Sequence, residues 1–165
     1  EYKIYTDTIL IADNITRSSK IAESLKENNI DGKDIQIVGT NHWNNDKITS
    51  YSSLYGSILS SPDNKYYNMF QKKYSHIYNQ NPVKISSIGY DVTAFIIDLI
   101  YKTKGRSGDI TNDIINYNKK RGFNGIDGLF RFLPNGLIER NLAVLEVLNR
   151  EITVIDQPSG RFIKY

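Results

Sequence analysis

The sequence predicts an α/β fold in which a mainly parallel sheet, flanked by helices, is followed by a C-terminal antiparallel β meander. Three observations predict it. A strand–helix–strand unit spans Tyr5 to Gly39, a long helix with a wide apolar stripe spans Ser86 to Lys102, and an Asn-Gly turn separates strand-like runs near the end.

Taken in order, the apolar run TILIA ending at Ala12 has strand length and predicts a strand buried on both faces. Asp13 and Asn14 stop it. Thr16 or Ser18 is placed to cap a helix running through Asn28, with Ile21, Leu25 and Ala22 recurring at helical spacing. The turn NNIDGKD leads to IQIVG (Ile35 to Gly39), a second buried strand. The polar stretch TNHWNND from Thr40 to Asp46 follows the carboxyl end of that strand, where open parallel sheets bind ligands. GSILS (Gly56 to Ser60) predicts a third short strand, stopped by Ser61 and Pro62. A helix then starts at Asp63 or Asn64 and gathers Tyr66, Tyr67, Phe70, Tyr74 and Ile77 on roughly one face. After a break at Asn79 to Pro82, the Ser86–Lys102 helix carries Ile88, Val92, Phe95, Ile96, Leu99 and Ile100 as its apolar stripe. KGRSGD ends it, and Ile110, Ile114 and Ile115 suggest a further short helix. Closely spaced glycines from Gly122, and alternating runs around Pro134-Asn135-Gly136, predict a β meander from about Gly125. Residues 1–82 thus read as a Rossmann-like segment of strand–helix–strand units. Residues 83–165 read as a crossover helix followed by a hinge and β segment.

Composition removes several function classes. With 165 residues, 39% hydrophobic and 24% charged, the chain can bury a core. The net charge of +3 comes from 21 basic residues scattered among 18 acidic ones, so no nucleic-acid partner is expected. The run Lys65 to Tyr78 interleaves lysines with aromatics, but helical spacing makes core packing with a solvated face the better reading than a base-stacking platform. The absence of Cys excludes a disulfide scaffold, a thiolate nucleophile and Cys-ligated metal, and His42 and His76 are too far apart in sequence to suggest a metal site. No metal and no cofactor are expected. No apolar run reaches the roughly 18 residues of a membrane span. The chain begins at Glu1 without a signal peptide, which predicts a processed protein or a fragment of a longer one. Carboxylate pairs such as Asp109 with Asp113 read as helix-start acids, and no nucleophile has a base beside it, so no enzyme activity is expected. Gly122, Gly125 and Gly128 lack the strand before and helix after that a dinucleotide fingerprint requires, and suit backbone turning at a hinge.

The succession DTILIAD, IQIVGTNHW, LYGSILSSPD, FQKKYSHIYNQNP, SSIGYDVTAFIIDLIY and GFNGIDGLFRFLPNGLIERNLAVLEV covers nearly the whole chain. It resembles the C-terminal portion of type I periplasmic solute-binding proteins, the Leu/Ile/Val-binding-protein superfamily, whose closing glycine–aromatic pattern reads here as Gly125, Gly128, Phe132 and Gly136. GTNHW together with the last segment looks most like alphaproteobacterial proteins labelled penicillin-binding protein activators. The resemblance implies a fragment of a two-lobed periplasmic protein about twice this length. It implies a non-catalytic receptor for a small polar, amino-acid-like ligand, serving a membrane (ABC) transporter. The alternative it implies is a cell-envelope interaction protein that activates a penicillin-binding protein, a peptidoglycan synthase. It also implies apolar faces left uncovered around the Ser86–Lys102 helix and the terminal strands, so the isolated chain is expected to form a homodimer.

By the same resemblance, Asn41, His42 and Trp43 border the cleft between lobes. Asn41 supplies a donor and an acceptor, His42 a pH-dependent charge and Trp43 a π face, while the loop has no carboxylate before Asp46 to meet an ammonium group. The alternative is a loop whose Trp43 packs on a neighbouring helix. Tyr90 and Asp91 begin the long helix, where the aromatic could stack on a ligand and the carboxylate pair with a cation. The alternative is an early-turn acid facing the helix dipole and a tyrosine covering the core.

Overall fold

The computed structural model describes residues 6–30, 35–106, 108–118 and 122–162. In chain order the elements are β1 (Thr8–Ile11), α1 (Ile15–Glu27), β2 (Gln36–Gly39), three 3-10 turns between Asn41 and Leu54, and β3 (Ile58–Ser61). They continue with α2 (Asn64–Tyr78), α3 (Ser86–Thr103), α4 (Ile110–Asn118), β4 (Phe123–Gly125), β5 (Gly128–Phe132), β6 (Ile138–Arg140), β7 (Ala143–Val147) and β8 (Ile152–Asp156). They form two compact units, each discontinuous in sequence. The first takes the residues up to Ser61 plus Ala143–Gln157, and the second takes Pro62–Leu142 plus the residues from Pro158.

The first unit holds a five-stranded sheet ordered β1-β2-β3-β7-β8. β1, β2 and β3 are parallel, in register Leu10 to Val38 and Val38 to Ile58, as the strand–helix–strand periodicity predicts. β7 then pairs antiparallel with β3, Leu59 opposite Leu145, and β8 pairs antiparallel with β7. Its core gathers Ile11, Trp43, Ile48, Leu54, Leu59, Leu145 and Val147. Two expectations need correction. β1 is an edge strand buried on one face only: Ile11 is inward and Leu10 is 65% exposed. The cap of α1 is Asn14, whose Oδ1 accepts from the Arg17 N–H at 3.1 Å, not Thr16 or Ser18. Ser18, Ser19 and Ala22 form its buried line and Ile21 is exposed, because small side chains let the helix close on the 3-10 segment, where the Ser53 hydroxyl donates to the Ser19 carbonyl at 3.1 Å.

The second unit holds the antiparallel sheet β4-β5-β6 with helices α2, α3 and α4. The Asn-Gly signal is fulfilled between β5 and β6: Gly136 takes φ +81° and its N–H donates to the Leu133 carbonyl at 2.9 Å, while Asn135 Oδ1 accepts from the Leu137 N–H. The core is aromatic. Phe95 of α3 lies 5.3 Å from the Tyr117 and Phe132 rings and 5.7 Å from Phe123, all edge-on or tilted. The buried line of α3 is Ser87, Asp91, Phe95 and Leu99. Ile88, Ile96 and Ile100 of the expected stripe are exposed, because α3 is apolar on more than one face and the polar Ser87 and Asp91 are drawn inward by partners in the β4–β5 hairpin. Among the described residues no helix is long and apolar enough to cross a membrane.

Candidate functional site

In the first unit, the carboxyl ends of β1, β2 and β3 bring together Asp13 and Asn14, Thr40 to Asn44, and Ser61. The Ser61 hydroxyl donates to Asn41 Oδ1 at 2.6 Å and accepts from Asn44 Nδ2 at 2.6 Å, so β3 fixes the orientation of the loop that leaves β2. The loop winds into one 3-10 turn, Asn41–Trp43, with Asn41 and His42 exposed. Trp43, expected to offer its ring to a ligand, is instead fully buried beneath that turn. Its indole N–H donates to the Asp13 carbonyl at 3.0 Å, and its ring fills the space over Gly39, where any Cβ would overlap it. A large ring that can satisfy its one polar group inside the core gains more by burial than by exposure. Trp43 thereby pins the β2 loop to the end of β1. Asp13 accepts from the Asn14 backbone N–H and Nδ2 and lies 3.7 Å from Arg17 Nη1, so the carboxylate nearest the loop already has partners. The hydroxyls of Thr40 and Ser18 are buried without a hydrogen-bond partner.

Tyr90 and Asp91 belong to the second unit, and the Asn41–Trp43 loop to the first. Asp91, expected to meet a ligand cation, is 2% exposed and holds the tip of the β4–β5 hairpin. Oδ1 accepts from the Ile126 N–H at 2.7 Å and Oδ2 from the Asp127 N–H at 3.4 Å, with Arg140 Nη1 at 3.9 Å. Burial raises the Asp91 pKa from its ordinary value, and the Asp127 carboxylate adds to the rise. The two backbone N–H groups and Arg140 oppose it. Asp127 accepts from the Ser87 hydroxyl at 2.6 Å, and its carbonyl accepts from Arg140 Nη1 at 2.8 Å. Tyr67 has its phenol pKa raised, by burial first and then by Asp127. The glycine at 125 is required here because a Cβ would overlap the Asp91 carboxylate. Tyr90 is half exposed, with its ring 5.4 Å from Phe70 at the edge of a groove between α2 and α3.

The sequence therefore brings Asn41, His42 and Trp43 together, but with Trp43 as support instead of surface. Thr40 and Asn44 fall within the polar stretch that the sequence marks after the second strand, whereas Ser61, Ser87, Asp127 and Arg140 were missed. The contacts that tie these four to other elements span 13 to 49 residues along the chain, and no local spacing marks them. The arrangement at the strand ends offers the exposed Asn41 amide and His42 imidazole to a polar molecule, while the hydroxyls of Ser61, Ser18 and Thr40 are buried behind them. Among the described residues there is no cluster of three His, Asp or Glu that could hold a metal ion.

No protein-family model matches the chain, and a search of curated proteins gives no match. Solved structures do match. A candidate branched-chain amino acid ABC transporter from Rhodospirillum rubrum superposes with TM-score 0.70 at 16% identity, over 90% of this chain and 44% of its own. The leucine-binding protein LivK from Thermotoga maritima gives 0.57 at 18% identity, over 90% and 43%. The C-domain of LpoA from Haemophilus influenzae, a regulator of PBP1A, gives 0.57 at 14% identity, over 94% and 46%. The chain spans less than half the length of each of these proteins. Across nine-tenths of its length, the chain has the fold of the type I periplasmic binding proteins.

Proposed function

We propose that this chain is the C-terminal part of a non-catalytic, two-lobed solute-binding protein of the bacterial periplasm, which takes a small polar, amino-acid-like ligand and serves a membrane transporter. The observation that carries this reading is the placement of Asn41 and His42 at the carboxyl end of three parallel strands, locked by Ser61 and by the buried Trp43. The Asn41 amide held this way is pre-oriented, so little ordering entropy opposes its contact with a ligand. Ligand contacts to both lobes would bias a hinge equilibrium, with no bond made or broken. A second reading, regulation of a penicillin-binding protein by surface docking, draws on the LpoA likeness and on the loop itself, since Asp13 is already partnered and no free carboxylate in GTNHW meets an ammonium group.

The experiment is a thermal-shift screen of amino acids and peptidoglycan fragments on the full-length protein, followed by calorimetry on Asn41→Ala and His42→Ala. The expected result is a stabilising ligand whose affinity falls about tenfold or more in at least one variant. Failure of every small ligand, together with capture of a penicillin-binding protein, moves the assignment to the second reading.

A further inference from the structure

One series of hydrogen bonds decides which end of the Asn41 side chain faces outward. Asn44 is buried, and its Nδ2 donates to Ser61 Oγ at 2.6 Å. The fully buried Ser61 hydroxyl donates in turn to Asn41 Oδ1 at 2.6 Å. Every proton in the series points toward Asn41, so its carbonyl oxygen is the end that the fold takes. What remains is the amide NH2 of an exposed residue, and among the described residues nothing accepts from it. An asparagine on a free loop turns either end to a ligand, whereas this one turns its donors outward. Hydrogen bonds in series polarise one another, which makes those terminal N–H groups stronger donors.

The acceptors next to the loop are occupied. Asp13 Oδ1 accepts from the Asn14 backbone N–H and Nδ2 at 2.7 and 3.0 Å, and Oδ2 faces Arg17 Nη1. The Asp13 carbonyl holds the Trp43 indole N–H. That bond ties the loop to the start of α1, the positive end of the helix dipole, where the first turn has no acid and the Arg17 side chain is exposed. His42, beside Asn41 and exposed, donates an N–H even when neutral. The next carboxylate, Asp46, opens the following 3-10 turn, past the Asn44–Ser61 bond.

An ammonium group has three donors and no acceptor, so at Asn41 it would set donor against donor. A carboxylate has only acceptors and meets the amide N–H groups in a surrounding of positive sign. We propose that the strand-end site recognises the carboxylate of its ligand and not an ammonium group, so that the substrate class is a small carboxylic acid whose amine is dispensable. This rests on the solute-binding reading and narrows the ligand that the reading leaves open.

The probes are matched sets on the full-length protein: alanine, serine, leucine and phenylalanine, each with the acid that lacks the amine and the amine that lacks the carboxylate. Thermal shift and calorimetry are expected to show at least one amine-free acid binding within about fivefold of its amino acid, the most an exposed ion pair contributes. No carboxylate-free amine is expected to bind. Asn41→Asp keeps the size and the acceptor for the Ser61 hydroxyl but replaces the N–H donors with a carboxylate oxygen. It is expected to hold the melting temperature and to weaken the acid about tenfold or more. Asp46→Asn is expected to leave the affinity unchanged. Four results overturn the proposal: an amine that binds where its acid does not; tighter binding of an amino acid or amine by Asn41→Asp; a melting temperature lowered by Asn41→Asp as far as by Asn41→Ala, which reverses the polarity of the Ser61 bond; or amino-acid binding lost in Asp46→Asn. A protein that takes none of the probes, and no compound of the wider screen, overturns the solute-binding reading as well.

Discussion

At the scale of single residues, two side chains that attracted chemical interpretation, Trp43 and Asp91, are both interior. Each is aimed by a partner some thirty residues away in sequence: Trp43 by the Asp13 carbonyl, Asp91 by the N–H groups of Ile126 and Asp127. Local spacing reveals that a residue sits near a strand end or in a first helical turn, but not whether a distant backbone group will claim it. Asp91 carries a pH prediction. Its native pKa is raised above the unfolded value of about 3.8, so the folded state holds this proton more tightly than the unfolded chain. The stabilisation is therefore complete below that unfolded value and is lost as pH rises through the raised native one. Asp91→Asn preserves size and cannot ionise. Wild-type stability measured relative to this variant is expected to fall from pH 3 to pH 7 in urea titrations, and a difference that is constant or rises with pH contradicts the assignment.

At the scale of elements, the three parallel strands, the helices and the Asn135-Gly136 hairpin were legible because period-2 and period-3.6 patterns and turn chemistry are local properties. What was not legible was which face of each element turns inward. In α1 the sequence favours Ile21, yet the helix buries Ser18, Ser19 and Ala22, since close approach to the segment around Ser53 rewards small volume over hydrophobicity. In α3 two apolar faces compete, and the inward one is chosen by the aromatic cluster around Phe95 and by the polar hold on the β4–β5 hairpin. The start of α1 provides a test of the capping assignment. Asn14→Ala removes the acceptor for the Arg17 N–H and is expected to cost about 1 kcal/mol, whereas Thr16→Ala is expected to change stability little. Chemical denaturation of the two variants distinguishes them, and equal effects would contradict Asn14 as the cap.

At the scale of the whole molecule, both units are assembled from separated stretches of chain, a property invisible to any window of sequence. The terminal strands read as the end of one meander, but β7 and β8 leave β4–β6 and complete the sheet begun by β1, β2 and β3. A chain ending at Leu142 is accordingly expected to lose cooperative folding of the parallel strands, seen as loss of amide-exchange protection at Ile37, Val38 and Leu59. Retained protection at those amides would show that β7 is dispensable. The same pairing has a consequence during synthesis. β3 emerges from the ribosome about 80 residues before β7, so at ordinary elongation rates its open edge waits about 4–16 s for its partner. For that interval Ile58 and Leu59 lie on an unpaired, hydrophobic strand edge, the kind of surface that recruits other nascent chains. Translation speed through residues 62–142 therefore governs how much newly made protein aggregates, and slowing the ribosome there should lower the soluble yield without altering the stability of the molecules that do fold.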